Sequence, residues 1–145
     1  MKIDHIGYVT ANLNQTLKYF KNNFGMKQIT KKIKEPAHGV DVVFLDMGNN
    51  GYPALEIIRP NSKKSKISNF LEKKGGGIHH LAYEVIDIKK TVINLKKKKF
   101  LILTDIVPGA GHNNTPTLWL FTPKNELIEL IQKQKNKSSY QRFTK

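Results

Sequence analysis

The sequence predicts an α+β fold built from two tandem copies of one unit, strand–helix–three strands. Three observations carry this. The chain repeats itself at a spacing of 75 residues. Each copy has one amphipathic helix followed by short strand-like runs. Each copy also ends on an apolar strand interrupted by a single glutamate.

The elements follow in order. The opening strands are "DHIGYVT" and "HHLAYEV", and the repeat sets His5 on His80, Ile6 on Leu81, Gly7 on Ala82 and Tyr8 on Tyr83. Asn12 then falls on Asp87, and both are good N-cap residues. Leu13, Leu17 and Phe20 fall on Ile88, Val92 and Leu95, the i, i+4, i+7 spacing of one buried helix face. Strand-like runs follow at 26–33, 40–47 and 54–60 in the first copy, and at 100–106, 117–121 and 127–132 in the second. Turn signals, "GNNGYP" and "TPKN", precede the last strand of each copy. Module one therefore spans about 1–60 and module two about 77–132, as one domain over 1–132. The linker at 61–76 is polar, with one short helix that buries Ile67, Phe70 and Leu71. The tail at 133–145, "KQKNKSSYQRFTK", is basic and poor in aliphatics, and is expected to be mobile.

Composition narrows the function. The chain has 145 residues and 39% hydrophobic content, enough for one packed domain. It has no apolar run of about 18 residues, so no membrane span is expected. "MKIDHIGYVT" lacks a signal-peptide core, so a cytoplasmic location is expected. With no cysteine, disulfides, thiolate nucleophiles and thiolate-bound zinc are all excluded. The net charge of +14 comes mostly from lysine, since only Arg59 and Arg142 are arginine. Nucleic-acid recognition favours the guanidinium fork, and these lysines are spread along the whole chain. The charge predicts a solvated surface that attracts an anionic small substrate, with no nucleic-acid partner.

The two glutamates are Glu56 and Glu129, which lie 51 and 49 residues beyond His5 and His80. A lone glutamate in a strand says little, but four polar residues at equivalent places say more. Two carboxylates converging in one cavity need cations nearby. Two imidazoles and two carboxylates, with no sulfur, suit a divalent ion with open positions: cobalt, nickel, manganese, iron or zinc. Such an ion stabilises an enolate as a Lewis acid while a glutamate moves the α-proton. Of the adjacent pair His79 and His80, the repeat selects His80 as the ligand and predicts His79 on the other strand face. His38 and His112 lie in loop-like stretches and are expected to be exposed. Gly75, Gly76 and Gly77 read as a linker turn, and Trp119 as core packing.

At these residues the chain resembles the vicinal oxygen chelate superfamily, whose members include glyoxalase I, methylmalonyl-CoA epimerases, extradiol dioxygenases and bleomycin-resistance proteins. The segments "EPAHGVDVVFLDMGN", "LEIIRP", "ISNFLEKKGGGIHHLAYEV" and "VPGAGH" look most like those of the epimerases, in the same order. The resemblance implies paired βαβββ modules forming curved mixed sheets around a metal-binding cavity. It implies one divalent ion per site, held by His5, Glu56, His80 and Glu129, with Glu56 and Glu129 catalytic. It also implies proton transfer α to a carbonyl on an anionic thioester or thiol adduct, and a homodimer. Asp41 sits near where some epimerases place an extra acid/base carboxylate. The alternative enzyme is glyoxalase I, with which the chain shares "FGMK" and the quartet. A further alternative is a non-catalytic drug or metabolite binding protein. The chain departs from the epimerase pattern at "FTPKNELIEL", where Glu126 replaces an expected glycine, and in the longer loop "PGAGHNNTPT".

Overall fold

The structure is a computed structural model that describes residues 1–48, 50–135 and 141–143. Module one comprises β1 (Lys2–Val9), α1 (Leu13–Phe24), β2 (Lys27–Gln28), β3 (Ile33–Glu35), β4 (Val40–Asp46) and β5 (Ala54–Pro60). A short helix, α2 (Ser68–Lys74), occupies the linker. Module two comprises β6 (Gly77–Val85), α3 (Ile88–Lys97), β7 (Leu101–Ile102), β8 (Val107–Gly109), β9 (Thr115–Phe121) and β10 (Leu127–Gln132).

All the strands join one sheet in the order β2-β4-β5-β1-β6-β10-β9-β7, with β3 on β4 and β8 on β9. The order reads the same outward from its centre, so a pseudo-twofold axis runs between β1 and β6. These two strands are antiparallel, while β5 runs parallel to β1 and β10 parallel to β6. The predicted caps form: Asn12 accepts from the Gln15 amide and Asp87 from the Lys90 amide. α1 covers one sheet face over Val43, Leu45, Leu55 and Ile57. α3 does the same over Leu118, Leu120, Ile128 and Leu130.

The expected strands at 26–33 and 100–106 each shorten to a two-residue strand, β2 and β7, with the chain rejoining the sheet only at β3 and β8, for the same reason in both modules. Thr30 Oγ1 accepts the Phe44 amide at 3.1 Å and Thr104 Oγ1 accepts the Trp119 amide at 3.0 Å. A hydroxyl replaces one ladder carbonyl, so the backbone can leave the strand without orphaning a donor. Gly76 has φ 105°, and a Cβ there would lie 2.7 Å from the Val9 carbonyl, so the glycines serve the turn that returns α2 to β6. The tail departs from expectation in part. Among its described residues, Arg142 and Phe143 are buried, because they find a carboxylate and an aromatic face to pack on. Residues 136–140 and 144–145, to which the mobile-tail expectation also applied, lie outside the described residues.

Candidate metal centre

The register explains how four side chains on four strands meet. Side chains opposite one another on neighbouring strands share a sheet face. In one row across the sheet, His5 lies opposite Ala82, and Ala82 opposite Glu129. In the next row, His80 lies opposite Gly7, and Gly7 opposite Glu56. Each row thus sets a histidine and a glutamate on either side of a residue too small to separate them. The space is tight, for a Cβ on Gly7 would lie 2.0 Å from His80 Cε1.

The result is a compact set of donors on the face away from α1 and α3, none more than 7% exposed. His5 Nε2 is 3.1 Å from His80 Nε2 and 3.4 Å from both Glu56 Oε2 and Glu129 Oε2. His80 Nε2 is 3.4 Å from Glu56 Oε2 and 3.9 Å from Glu129 Oε2. Donors held about 2.1 Å from one ion stand roughly 3.0 Å apart when cis in an octahedron and roughly 3.4 Å apart in a tetrahedron. Two facing Nε2 atoms can share one hydrogen at most, and the carboxylates lie beyond ordinary hydrogen-bond length. As ligands the imidazoles would be neutral, leaving the two negative charges of the buried carboxylates for a divalent cation to balance. The donor set fits such an ion.

The charge states follow from the packing. Burial opposes charge on His5, but Glu56, the hydrogen bond His5 donates to Asp4 and the contacts to both glutamates outweigh it, raising its pKa well above the usual histidine value. Burial likewise opposes ionisation of Glu56, yet His5 and His80 hold its carboxyl well below the usual range. Asp4 behaves the same way. Burial is overcome by the hydrogen bond and charge of His5, by His112 and by Arg142, and its pKa falls to about 2.

Beside the quartet lies a cavity of about 380 Å³. Val42, Ile58, Trp119 and Phe121 give it apolar walls, while His79 and Lys66 add polar groups. Trp119 therefore does more than pack: it meets His80 edge-on, with ring centroids 4.7 Å apart. His79 is not turned away either. It lines the cavity and its Nδ1 is 3.0 Å from His80 Nδ1. Burial first, then the His80 charge, lowers its pKa to about 4. His112, expected to be exposed, is 3% exposed, stacks on His5 at 5.0 Å and comes within 3.9 Å of Glu129 Oε2. His38 is partly buried at the cavity, with Nδ1 3.2 Å from Glu35 Oε2. Asp41 is directed away from the quartet, because its strand neighbours Val40 and Val42 take the cavity side. It pairs instead with Arg59 and accepts from Asn61 Nδ2 at 3.0 Å. Sequence reasoning missed Glu35, whose Oε1 accepts the Gly111 amide and ties the β8–β9 loop to β3.

The model of the glyoxalase/bleomycin resistance protein/dioxygenase superfamily matches residues 4–117. The chain belongs to that superfamily. Among curated relatives, it is 35% identical to the mitochondrial methylmalonyl-CoA epimerase of Homo sapiens, over 90% of this chain and 73% of that protein. It is 33% identical to the ethylmalonyl-CoA/methylmalonyl-CoA epimerase of Cereibacter sphaeroides, over 90% of this chain and 97% of that one. Among solved structures, it matches a Streptomyces coelicolor methylmalonyl-CoA epimerase in complex with 2-nitronate-propionyl-CoA, with a TM-score of 0.80, 25% identity and coverage of 95% and 98%. The superfamily fold that the resemblance implied is the fold observed. Among the described residues, no helix is long and apolar enough to cross a membrane.

Proposed function

We propose that this chain is a metal-dependent epimerase acting on a malonyl-type CoA thioester, with His5, Glu56, His80 and Glu129 as metal ligands and the two glutamates as proton carriers. The observation that carries the reading is the pair of rows, His5–Ala82–Glu129 and His80–Gly7–Glu56, converging on one point beside an apolar cavity. The names of the relatives support the thioester class.

Bound among these donors, a divalent ion would supply Lewis-acid stabilisation of the enolate that forms when the α-proton leaves. The chain's own residues do the rest. Glu56 enters from β5 and Glu129 from β10, so a substrate carbon between them has a carboxylate on each side. One removes the proton and the other delivers it to the opposite face, which inverts the centre. Glu56 lies 3.4 Å from both histidines, whereas Glu129 is 3.4 Å from one and 3.9 Å from the other. Glu129 is the less tightly held and is assigned the mobile proton. Val42, Ile58, Trp119 and Phe121 exclude water around a short acyl group. The lysine-rich surface attracts the phosphates of the carrier. All four ligands come from one chain, so the homodimer implied by the family resemblance is not needed to complete the site.

The test incubates metal-loaded protein in heavy water with methylmalonyl-CoA, and separately with methylglyoxal plus glutathione. Metal-dependent deuterium at the α-carbon of the thioester is the expected result. Lactoylglutathione without thioester exchange would assign the chain to glyoxalase chemistry instead. Neither product, with tight binding of an apolar metabolite, would make it a binding protein.

A further inference from the structure

The quartet is supported unequally. A metal-binding imidazole that offers Nε2 must carry its hydrogen on Nδ1, and whatever accepts that hydrogen sets the ring's tautomer and angle. At both histidines the acceptor is the preceding residue: Asp4 Oδ1 lies 3.0 Å from His5 Nδ1, and His79 Nδ1 lies 3.0 Å from His80 Nδ1. The repeat placed Asp4 and His79 in register, so this is one device used twice. What differs is the anchoring behind it. His79 is half-buried at the cavity wall, against Phe70. Asp4 is gripped from the far end of the chain.

Arg142 donates from Nε to Asp4 Oδ2 at 2.6 Å and from Nη2 to the Asp4 carbonyl at 3.0 Å. The same Nη2 donates to the Gly51 carbonyl in the β4–β5 turn. Its guanidinium lies over the Tyr52 ring at 3.5 Å. Phe143 stacks on Phe44 at 3.9 Å, and Phe44 meets His5 edge-on at 5.6 Å. Phe143 also leans on His112, which stacks on His5. Gln134 holds the segment from its other side, donating to the carbonyls of His112 and Arg142. Residues 142 and 143 therefore fix His5 twice, through the hydrogen bond on Nδ1 and through the rings along its flanks.

We propose that Arg142 and Phe143 form a C-terminal clamp whose task is to position His5 as a fixed ligand of the metal site. The inference rests on the quartet being a metal site. Arginine suits the role because three acceptors in two directions need a fork, which a lysine ammonium on a flexible stem does not supply. Arg142 is a positioning residue and touches no substrate.

The test uses the full-length protein and cobalt(II) alone as probe, with affinity read by competition against a chelator. Alongside it run the metal-free melting temperature and the His5 ring tautomer, read by long-range ¹H–¹⁵N correlation in metal-free protein at a pH above the raised His5 pKa, where the ring is neutral. Arg142→Ala should weaken cobalt binding about 10- to 100-fold, the usual range for an outer-shell partner, and mix the His5 tautomers. Arg142→Lys should recover little, and added ethylguanidinium should restore part of the loss in Arg142→Ala. If Arg142→Ala fails to fold, the double variant Asp4→Asn with Arg142→Met removes both buried charges together. It should melt near the wild type and still bind cobalt at least 10-fold more weakly. Wild-type cobalt affinity in the double variant, or an unchanged His5 tautomer in Arg142→Ala, overturns the proposal. Because none of these readouts uses a thioester, a chain that epimerises nothing but shows these losses would refute the functional reading alone.

Discussion

Gly7→Ala gives the sharpest test of how the site is built. The backbone of Gly7 does not lie in the left-handed region, so alanine meets no conformational objection there. The new methyl, however, would sit 2.0 Å from His80 Cε1, 2.3 Å from Nδ1 and 2.6 Å from Nε2. Carbon atoms pack comfortably at about 3.5 Å, so the ring must retreat by roughly 1.5 Å. It cannot do so freely, since Trp119 stands 4.7 Å away and His5 5.3 Å away, both edge-on. Overpacking of this kind costs about 1–3 kcal/mol of stability, which lowers the melting temperature and leaves a folded protein. The effect on the site should be much larger. Displacing a ligand outright should weaken metal binding beyond the roughly 10- to 100-fold typical of outer-shell changes. A reacting group misplaced by about 1 Å should cost about 10²-fold in turnover. Chelator competition with cobalt(II), read beside metal-free melting, separates the two effects. Ala82→Gly is the mirror control, because it enlarges the space beside His5 without displacing it, and should change affinity only slightly. If Gly7→Ala binds cobalt like the wild type, the idea that the missing side chain at Gly7 makes room for His80 is wrong.

Other expectations follow from the same geometry. Glu129→Gln should lose turnover far more than metal affinity, measured by α-deuterium exchange and cobalt titration, because glutamine still ligates through oxygen but cannot accept a proton. His80→Ala should abolish cobalt binding, whereas His79→Ala should weaken it by about 10-fold as an outer-shell partner is lost; equal effects would contradict the assignment of His80. For pH, the folded pKa of Asp4 is depressed from 3.8 to about 2. The stability it contributes is present above pH 4 and disappears as pH falls toward 2, amounting to about 2 kcal/mol. Acid titration of metal-free protein should show this component, and Asp4→Asn should lack it. Asp41→Asn should leave α-deuterium exchange within about twofold of wild type, since its carboxylate serves Arg59 and Asn61.

The quartet was legible because duplication writes the same chemistry twice. His5 with His80, and Glu56 with Glu129, stand at matched positions, and an alternating strand pattern fixes which face each one takes. What stayed hidden depends on contacts between distant segments. Nothing local in "GAGHNN" reveals that His112 folds back onto His5 and Glu129. Nothing in "QRFTK" reveals that Arg142 finds Asp4 at the other end of the chain, so a basic stretch poor in aliphatics read as mobile. His79 was misplaced by strict alternation, which the register shifts where β1 pairs with β6 disturb. The shortened strands escaped notice because a threonine hydroxyl can stand in for a carbonyl without any change in hydrophobic pattern.

The position of the quartet also bears on how the chain unfolds. Each row takes its histidine from one half of the molecule and its glutamate from the other, so neither half can assemble a row alone. An ion held there would rivet β1 and β5 to β6 and β10 across the line where the duplicated halves meet. Without it, that junction rests on the β1–β6 ladder, whose register shifts between Ile3 and His5 and again between Gly7 and Tyr8, and on a few side-chain ties such as Glu35 to the Gly111 amide. Opening along this line should be the lowest-energy sub-global fluctuation of the apoprotein, visible as faster amide exchange in β1 and β6 than in β4 and β9. Cobalt should slow exchange in those two strands first, and the halves should then lose structure in a single cooperative step.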